Sequence, residues 1–208
     1  MDLGSLDKVI EKIKNIPPPS TPEPILAKIA QEILQGLLYL HKVKHQIHRD
    51  IKPGNILINS EGLVKLTDFG ISRTVENTSG FSETFVGTKS YMSPERFKGD
   101  EYSFDSDIWS FGLILYELAM GIFPYDFSKV FIEHFVKIID DPEPRFPNNG
   151  TFSKELCDFL EKCLQKDPKK RASVVELCAH PWILKYSDEE ANITMWLADL
   201  FGFMVVDS

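Results

Sequence analysis

The spacing of apolar residues changes twice along this chain, and the change bounds its architecture. Ile25, Ile29, Ile33, Leu37 and Leu40 recur at helical spacing and mark one long amphipathic helix. From Ile47 to Lys65 that spacing gives way to short apolar runs. Ile56-Leu57-Ile58 and Leu63-Val64-Lys65-Leu66 flank Asn59-Ser60-Glu61-Gly62, which predicts a hairpin of short strands. After Pro94 helical spacing returns, with helices expected over 105–120, 129–139, 153–164 and 173–180. Helices on both sides of a small β insert near residues 47–66 predict an α+β fold that is mainly α-helical.

Local signals place the ends of these elements. Leu6, Val9, Ile10 and Ile13 form a first helical stripe, with Ser5 placed to cap it and Pro17-Pro18-Pro19 to end it. Thr21 offers a cap for the long helix, with Pro22 in its first turn, where a missing N–H costs nothing. Ser173-Val174-Val175-Glu176 has the form of a capping box. A last helix carries Ile193, Trp196, Leu197, Leu200 and Phe201 on one face, and Ser187 with Glu190 offers another capping box for it. Its stripe is expected to pack on its own domain. Residues 71–90 are polar, rich in Ser and Thr and without periodicity, and read as a loop.

Composition removes several functions. The 208 residues carry a net charge of −8, whereas a nucleic-acid binder needs a basic face for phosphates. The most apolar stretch, Ile108 to Phe123, is shorter than the ~20 residues that span a bilayer and is interrupted by Glu117. No nucleic-acid or membrane partner is therefore expected. Cys157, Cys163 and Cys178 are odd in number and lie in helical stretches, so a reducing compartment, cytoplasmic or also nuclear, is the expected setting.

Three strings stand out in order: His48-Arg49-Asp50-Ile51-Lys52-Pro53-Gly54-Asn55, then Asp68-Phe69-Gly70, then Ser93-Pro94-Glu95. Singly each is weak. In this order, with a Ser/Thr-rich loop between the second and third, they resemble the catalytic loop, metal-binding loop and end of the activation segment of protein kinases. Phe85-Val86-Gly87-Thr88-Lys89-Ser90-Tyr91-Met92-Ser93-Pro94-Glu95-Arg96 resembles the MAP kinase kinase family, and so does Met1-Asp2-Leu3-Gly4-Ser5-Leu6. The resemblance runs from Met1 to about Trp182. It implies a kinase C-terminal lobe over residues 1–186, with catalytic loop 48–55 and activation segment 68–95, and a helical extension over 187–208.

Phosphoryl transfer is mostly positioning and charge neutralisation, and the resemblance distributes those tasks. Asp50 is the expected base for the attacking hydroxyl. Asn55 and Asp68 are the expected oxygen ligands of Mg²⁺, and Lys52 the cation that meets charge on the transferred group. Ser5 and Leu57 are expected beside the ATP nucleotide, Leu57 as the floor of the adenine pocket. Arg49 is expected to pair with a phosphorylated activation loop, with Thr84 and Thr78 as the modified residues and Ser79 and Ser82 as alternatives. Asp107 should bond the catalytic-loop backbone, and Glu95 should pair with Arg171.

The same resemblance implies a MAP kinase as substrate and an upstream kinase as activator. The glycine-rich loop and phosphate-anchoring lysine of such enzymes are not among these 208 residues. The chain alone is therefore expected to have negligible activity. Exposure of the face around Leu57 makes self-association an expectation. The alternative reading is a non-catalytic kinase-derived module that docks MAP kinases or scaffolds.

Overall fold

A computed structural model describes residues 1–68, 90–125, 131–187 and 191–205, the side chains of 131–135 excepted. Thr78 and Thr84, with Ser79 and Ser82, lie outside the described residues. The chain opens with strand β1 (Gly4–Ser5) and helix α1 (Leu6–Ile13). Helix α2 (Glu23–Leu38) follows and continues into a wider π-helical turn over Tyr39–Val43, where the Lys44 N–H reaches the Tyr39 carbonyl at 3.0 Å. A 3₁₀ turn (Pro53–Asn55) leads into β2 (Ile56–Ile58) and β3 (Val64–Leu66). Then come α3 (Pro94–Phe97), α4 (Phe104–Met120), α5 (Phe131–Asp140), α6 (Lys154–Cys163), α7 (Val174–Cys178), α8 (Pro181–Lys185) and α9 (Ile193–Phe201).

The predicted hairpin is present, with Ile56 opposite Leu66 and Ile58 opposite Val64. It gains a third antiparallel strand, because β1 pairs with β2 and sets Ser5 opposite Leu57. A strand of this length has no period to read in sequence. The fold is α+β and mainly helical, as its periodicity predicts.

Several ends differ from expectation. The cap of α2 is Pro22, with Pro24 inside the first turn, and Thr21 instead donates its hydroxyl to the Leu118 carbonyl at 2.8 Å. Ser5 precedes α1 as expected, but its hydroxyl bonds Asp7 at 2.6 Å rather than a helix amide. The helix expected over 173–180 ends early, at Cys178, and a separate short helix follows it. α7 has the Ser173–Glu176 capping box, and His180 then caps α8 by accepting the Trp182 N–H at 3.2 Å, with Pro181 restarting the helix. The last helix begins at Asn192, whose side chain accepts the Met195 N–H at 2.9 Å, rather than at Ser187, whose hydroxyl donates back to the Leu184 carbonyl.

The core is one contiguous cluster around α2, which packs against β3, α4, α7 and α8. Trp109 and Phe111 of α4, Phe159 of α6 and Trp182 of α8 are fully buried, and Phe159 meets Trp182 at 4.8 Å between rings. Burial of each such ring contributes on the order of 2–3 kcal/mol. Helix α4 ends at Gly121, in the left-handed region at φ 69°, where a Cβ would stand 2.9 Å from the Ile13 carbonyl oxygen. The chain can therefore turn back over the end of α1 only with glycine here. α9 packs against α1 and α2, burying Leu197 and Ala198, and Ile193 sits so close to the hairpin turn that a Cβ on Gly62 would overlap it. Among the described residues no helix is long and apolar enough to cross a membrane.

Candidate active site

The described residues of the strings that stand out in sequence gather near the start of α4. Asp107 lies in the first turn of that helix and is almost fully buried. Its Oδ2 accepts the backbone N–H of His48 at 2.8 Å, and its Oδ1 accepts that of Arg49 at 2.9 Å. The π-helical turn brings His41 to the same carboxylate, with Nε2 at 2.8 Å from Oδ2. A carboxylate only accepts, so His41 Nε2 carries the proton. Three donors thus hold one acid, and the acid holds the loop that follows α2.

His48 ties that loop to the strand side. Its Nε2 lies 2.8 Å from the Thr67 carbonyl and therefore donates, and its Nδ1 accepts the Asp50 N–H at 3.4 Å. The Thr67 N–H donates to the Asn55 carbonyl at 2.9 Å. These bonds set Asp68, next in the chain, beside Asn55. Arg49 and Asp68 both adopt the left-handed backbone, at φ 72° and 57°. Non-glycine residues enter that region at a cost of ~1–3 kcal/mol each, and such residues cluster at functional sites.

Asp50 is the half-exposed acid between these anchors. Its Oδ2 receives Lys52 Nζ at 2.9 Å and Asn55 Nδ2 at 2.9 Å, while Asn55 Nδ2 also bonds the Asp50 carbonyl at 2.8 Å. One carboxylate oxygen is thereby fixed by a cation and an amide, which leaves Oδ1 to accept a proton from elsewhere. Asn55 turns its amide hydrogens to Asp50, so its side-chain carbonyl oxygen remains for a hard cation. The Asp68 carboxylate is exposed; two such oxygens are the sparse kind of donor set that could hold Mg²⁺ together with phosphate and water. Among the described residues no group of three or more His, Cys, Asp or Glu side chains could hold a metal by itself.

Ser5 and Leu57 are cross-strand partners on the sheet next to the Pro53–Asn55 turn. Glu95 and Arg171 form a buried two-pronged ion pair, at 2.8 and 3.0 Å. Arg171 also donates to the carbonyls of Asp105 at 2.7 Å and Gln165 at 2.9 Å, and its guanidinium lies 5.2 Å from the Trp109 ring. Burial pushes the Glu95 carboxyl up, but the hydrogen bonds and charge of Arg171 outweigh it and hold it below its ordinary value.

Sequence reasoning passed over Tyr91 and Glu117. The Tyr91 hydroxyl donates to Glu117 Oε2 at 2.5 Å, and Ser110 Oγ donates to the Tyr91 carbonyl at 2.7 Å. The pair fastens the segment before Ser93-Pro94-Glu95 onto α4. Burial pushes Glu117 up to about 7, against the opposing effect of the Tyr91 hydrogen bond. The signal was in the sequence, since Glu117 is the charge that interrupts the most apolar run.

The protein kinase domain matches residues 1–183. The chain is 45% identical to mitogen-activated protein kinase kinase 3 of Arabidopsis thaliana over 97% of its own length and 38% of that protein's. It is 47% identical to mitogen-activated protein kinase kinase SIPKK of Nicotiana tabacum over 93% of the chain and 54% of that protein. With the dual specificity mitogen-activated protein kinase kinase dSOR1 of Drosophila melanogaster it shares 38% identity over 95% of the chain and 54% of that protein. The chain thus spans about half the length of these relatives, or less.

Proposed function

Since the chain belongs to the protein kinase domain family and is similar to MAP kinase kinases, we propose that it contributes the phosphoryl-transfer half of a dual-specificity kinase. The proposed substrate is the activation loop of a MAP kinase, modified on Thr or Ser and on Tyr. The observation that carries this reading is Asp50, with one oxygen fixed by Lys52 and Asn55 and the other left to accept. Bound ATP with Mg²⁺ would supply the transferable phosphoryl group and part of the charge that neutralises it.

The residues of this chain then have separable tasks. Asp50 orients the substrate hydroxyl and takes its proton at Oδ1. Lys52, held at 2.9 Å from the same acid, places a positive charge where negative charge develops on the transferred group. Asn55 and Asp68 would hold the metal ion through their oxygens. Ser5 and Leu57 would meet the nucleotide. Asp107 keeps the loop in register, so that Asp50 needs little rearrangement when substrate arrives. Phosphorylation at Thr84 and Thr78 by an upstream kinase would bring a charge for Arg49 to pair with.

The 208 residues alone should transfer negligible phosphate, because the groups expected to grip ATP from the opposite side are not among them. Self-association through the face around Leu57 belongs to the same proposal. The test is radiolabel transfer to a catalytically dead MAP kinase. It would compare this chain with a fusion that adds the part of the tobacco relative outside the matched region. Label in the Thr and Tyr of the MAP kinase loop from the fusion, and none from the chain alone, is the expected result. A fusion that binds ATP yet labels no MAP kinase residue would leave the non-catalytic docking module as the better reading.

A further inference from the structure

Between α5 and α6 the chain runs out to an exposed tip, Asn148-Asn149-Gly150. We infer that Asn149 is a self-modifying residue: its side chain cyclises onto the Gly150 nitrogen, releases ammonia and opens with water to aspartyl and isoaspartyl forms. The inference is independent of the kinase reading above and concerns a site outside the candidate active site.

Asn149 is the one asparagine of the sequence that glycine follows. Asn15, Asn55 and Asn192 precede isoleucine, whose branched Cβ crowds the amide nitrogen beside it. Gly150 carries no Cβ. It is exposed at φ 81°, and nothing lies within 4 Å of the place a Cβ would take. Attack by its nitrogen and entry of water therefore meet no obstacle. Among the described residues the Gly150 N–H makes no hydrogen bond, so the nitrogen gives up no partner when it reacts.

The carbonyl under attack is already polarised. Asn149 Oδ1 accepts the Thr151 N–H at 3.1 Å. Addition of the Gly150 nitrogen to Cγ puts negative charge on Oδ1, and a donor aimed there beforehand stabilises that charge. Asn59 supplies the contrast. Its Oδ1 accepts the Leu63 N–H at 2.8 Å, yet the amide that follows it, on Ser60, donates to Asp2 Oδ1 at 2.9 Å. Asn59 has the polarised carbonyl without the free nucleophile, and Asn149 has both.

In the first step the bond from Gly150 N to Asn149 Cγ forms, the Cγ–Nδ2 bond breaks, and the Gly150 proton leaves with Nδ2 as ammonia. Water then opens the succinimide ring. Breaking the new N–Cγ bond restores the ordinary main chain with an aspartyl side chain. Breaking the original peptide bond to Gly150 leaves the main chain running through Cβ and Cγ, an isoaspartyl link. Water is the only co-reactant. The new charge and the longer main chain stay at the tip, because the base of the loop is fastened. Phe146 stacks on Phe152 at 4.2 Å, Arg145 pairs with Glu161 at 3.0 Å, and the Ser153 N–H donates to Glu23 at 3.2 Å.

The test is incubation of the 208-residue chain in neutral buffer, sampled by tryptic mapping and mass spectrometry. Cleavage after Arg145 and Lys154 isolates residues 146–154, and a synthetic peptide of the same residues is incubated alongside. The expected result is two products at position 149, aspartyl and isoaspartyl, formed at least as fast as in the free peptide and faster than any change at Asn59. The isoaspartyl product should accept labelled methyl from S-adenosylmethionine through a protein isoaspartyl methyltransferase. The rate should rise with pH, because the Gly150 nitrogen must shed its proton. Asn149→Gln, which must close a larger ring, should lose both products. Slower conversion in the folded chain than in the peptide, faster conversion at Asn59, or an aspartyl product alone, as direct hydrolysis of the amide would give, would overturn the inference. No phosphoryl transfer is read, so failure of the kinase reading and failure of this inference remain distinguishable.

Discussion

Asp107 holds Arg49 by its backbone rather than by its charge: Oδ1 accepts the Arg49 N–H at 2.9 Å. Arg49 stands at φ 72°, and Asp50 follows it directly. A buried carboxylate on the rigid α4 therefore fixes a strained residue next to the proposed base. Asp107→Asn should expose the dependence. The amide has one accepting oxygen, so either the His48 or the Arg49 N–H must face a donor. Loss of about 1–3 kcal/mol in urea unfolding is expected, and phosphotransfer by the fusion should fall more than its ATP affinity does.

The Glu95–Arg171 pair is expected to act as an all-or-none unit. Arg171→Met leaves Glu95 charged and buried beside Ser106, and should cost about 3–5 kcal/mol. Removing both charges together, as Glu95→Gln with Arg171→Met, should cost less than Arg171→Met alone. Glu95 is held below its ordinary value, so its contribution is present above the usual glutamate range and is lost as pH falls through its folded value. Urea unfolding against pH should show a steeper acid-side loss in the wild type than in the doubly substituted chain.

Glu117 should give the opposite slope in a different window. Its folded value of about 7 lies above its ordinary 4.5, so the folded state binds the proton more tightly than the unfolded chain does. Stability from this group is full below pH 4.5 and declines as pH rises towards 7, by about 3 kcal/mol in total. Glu117→Gln keeps an acceptor for the Tyr91 hydroxyl and removes the charge. Thermal unfolding between pH 5 and 8 should therefore flatten in that variant, and an unchanged slope would assign the dependence to other groups.

These cases also explain what the sequence made readable. The hairpin around Asn59–Gly62, the amphipathic α2 and the capping box at Ser173 are local, and each carries its own signal within a few residues. The bonds that shape the site are not local. His41 meets Asp107 across 66 positions, and Arg171 meets Glu95 across 76. Of these, the Glu95–Arg171 pairing was anticipated through family resemblance, whereas His41 was not, because a histidine at the end of an amphipathic helix has no local pattern. Pro22 as the α2 cap and Asn192 as the α9 cap were missed because Thr21 and Ser187 offered equally good local chemistry. Tertiary contact decided between them. Thr21 turns to Leu118, and Ser187 turns back to Leu184.

The most direct test of the account is the rate at which the fusion phosphorylates a catalytically dead MAP kinase, with and without Asp50→Asn. The substitution preserves shape and removes the charge that accepts the proton. The account predicts a fall of ~10²–10⁴-fold in turnover with little change in nucleotide affinity. Turnover within a few-fold of the unsubstituted fusion would contradict the central claim, since the acid placed between Lys52 and Asn55 would then not be the base.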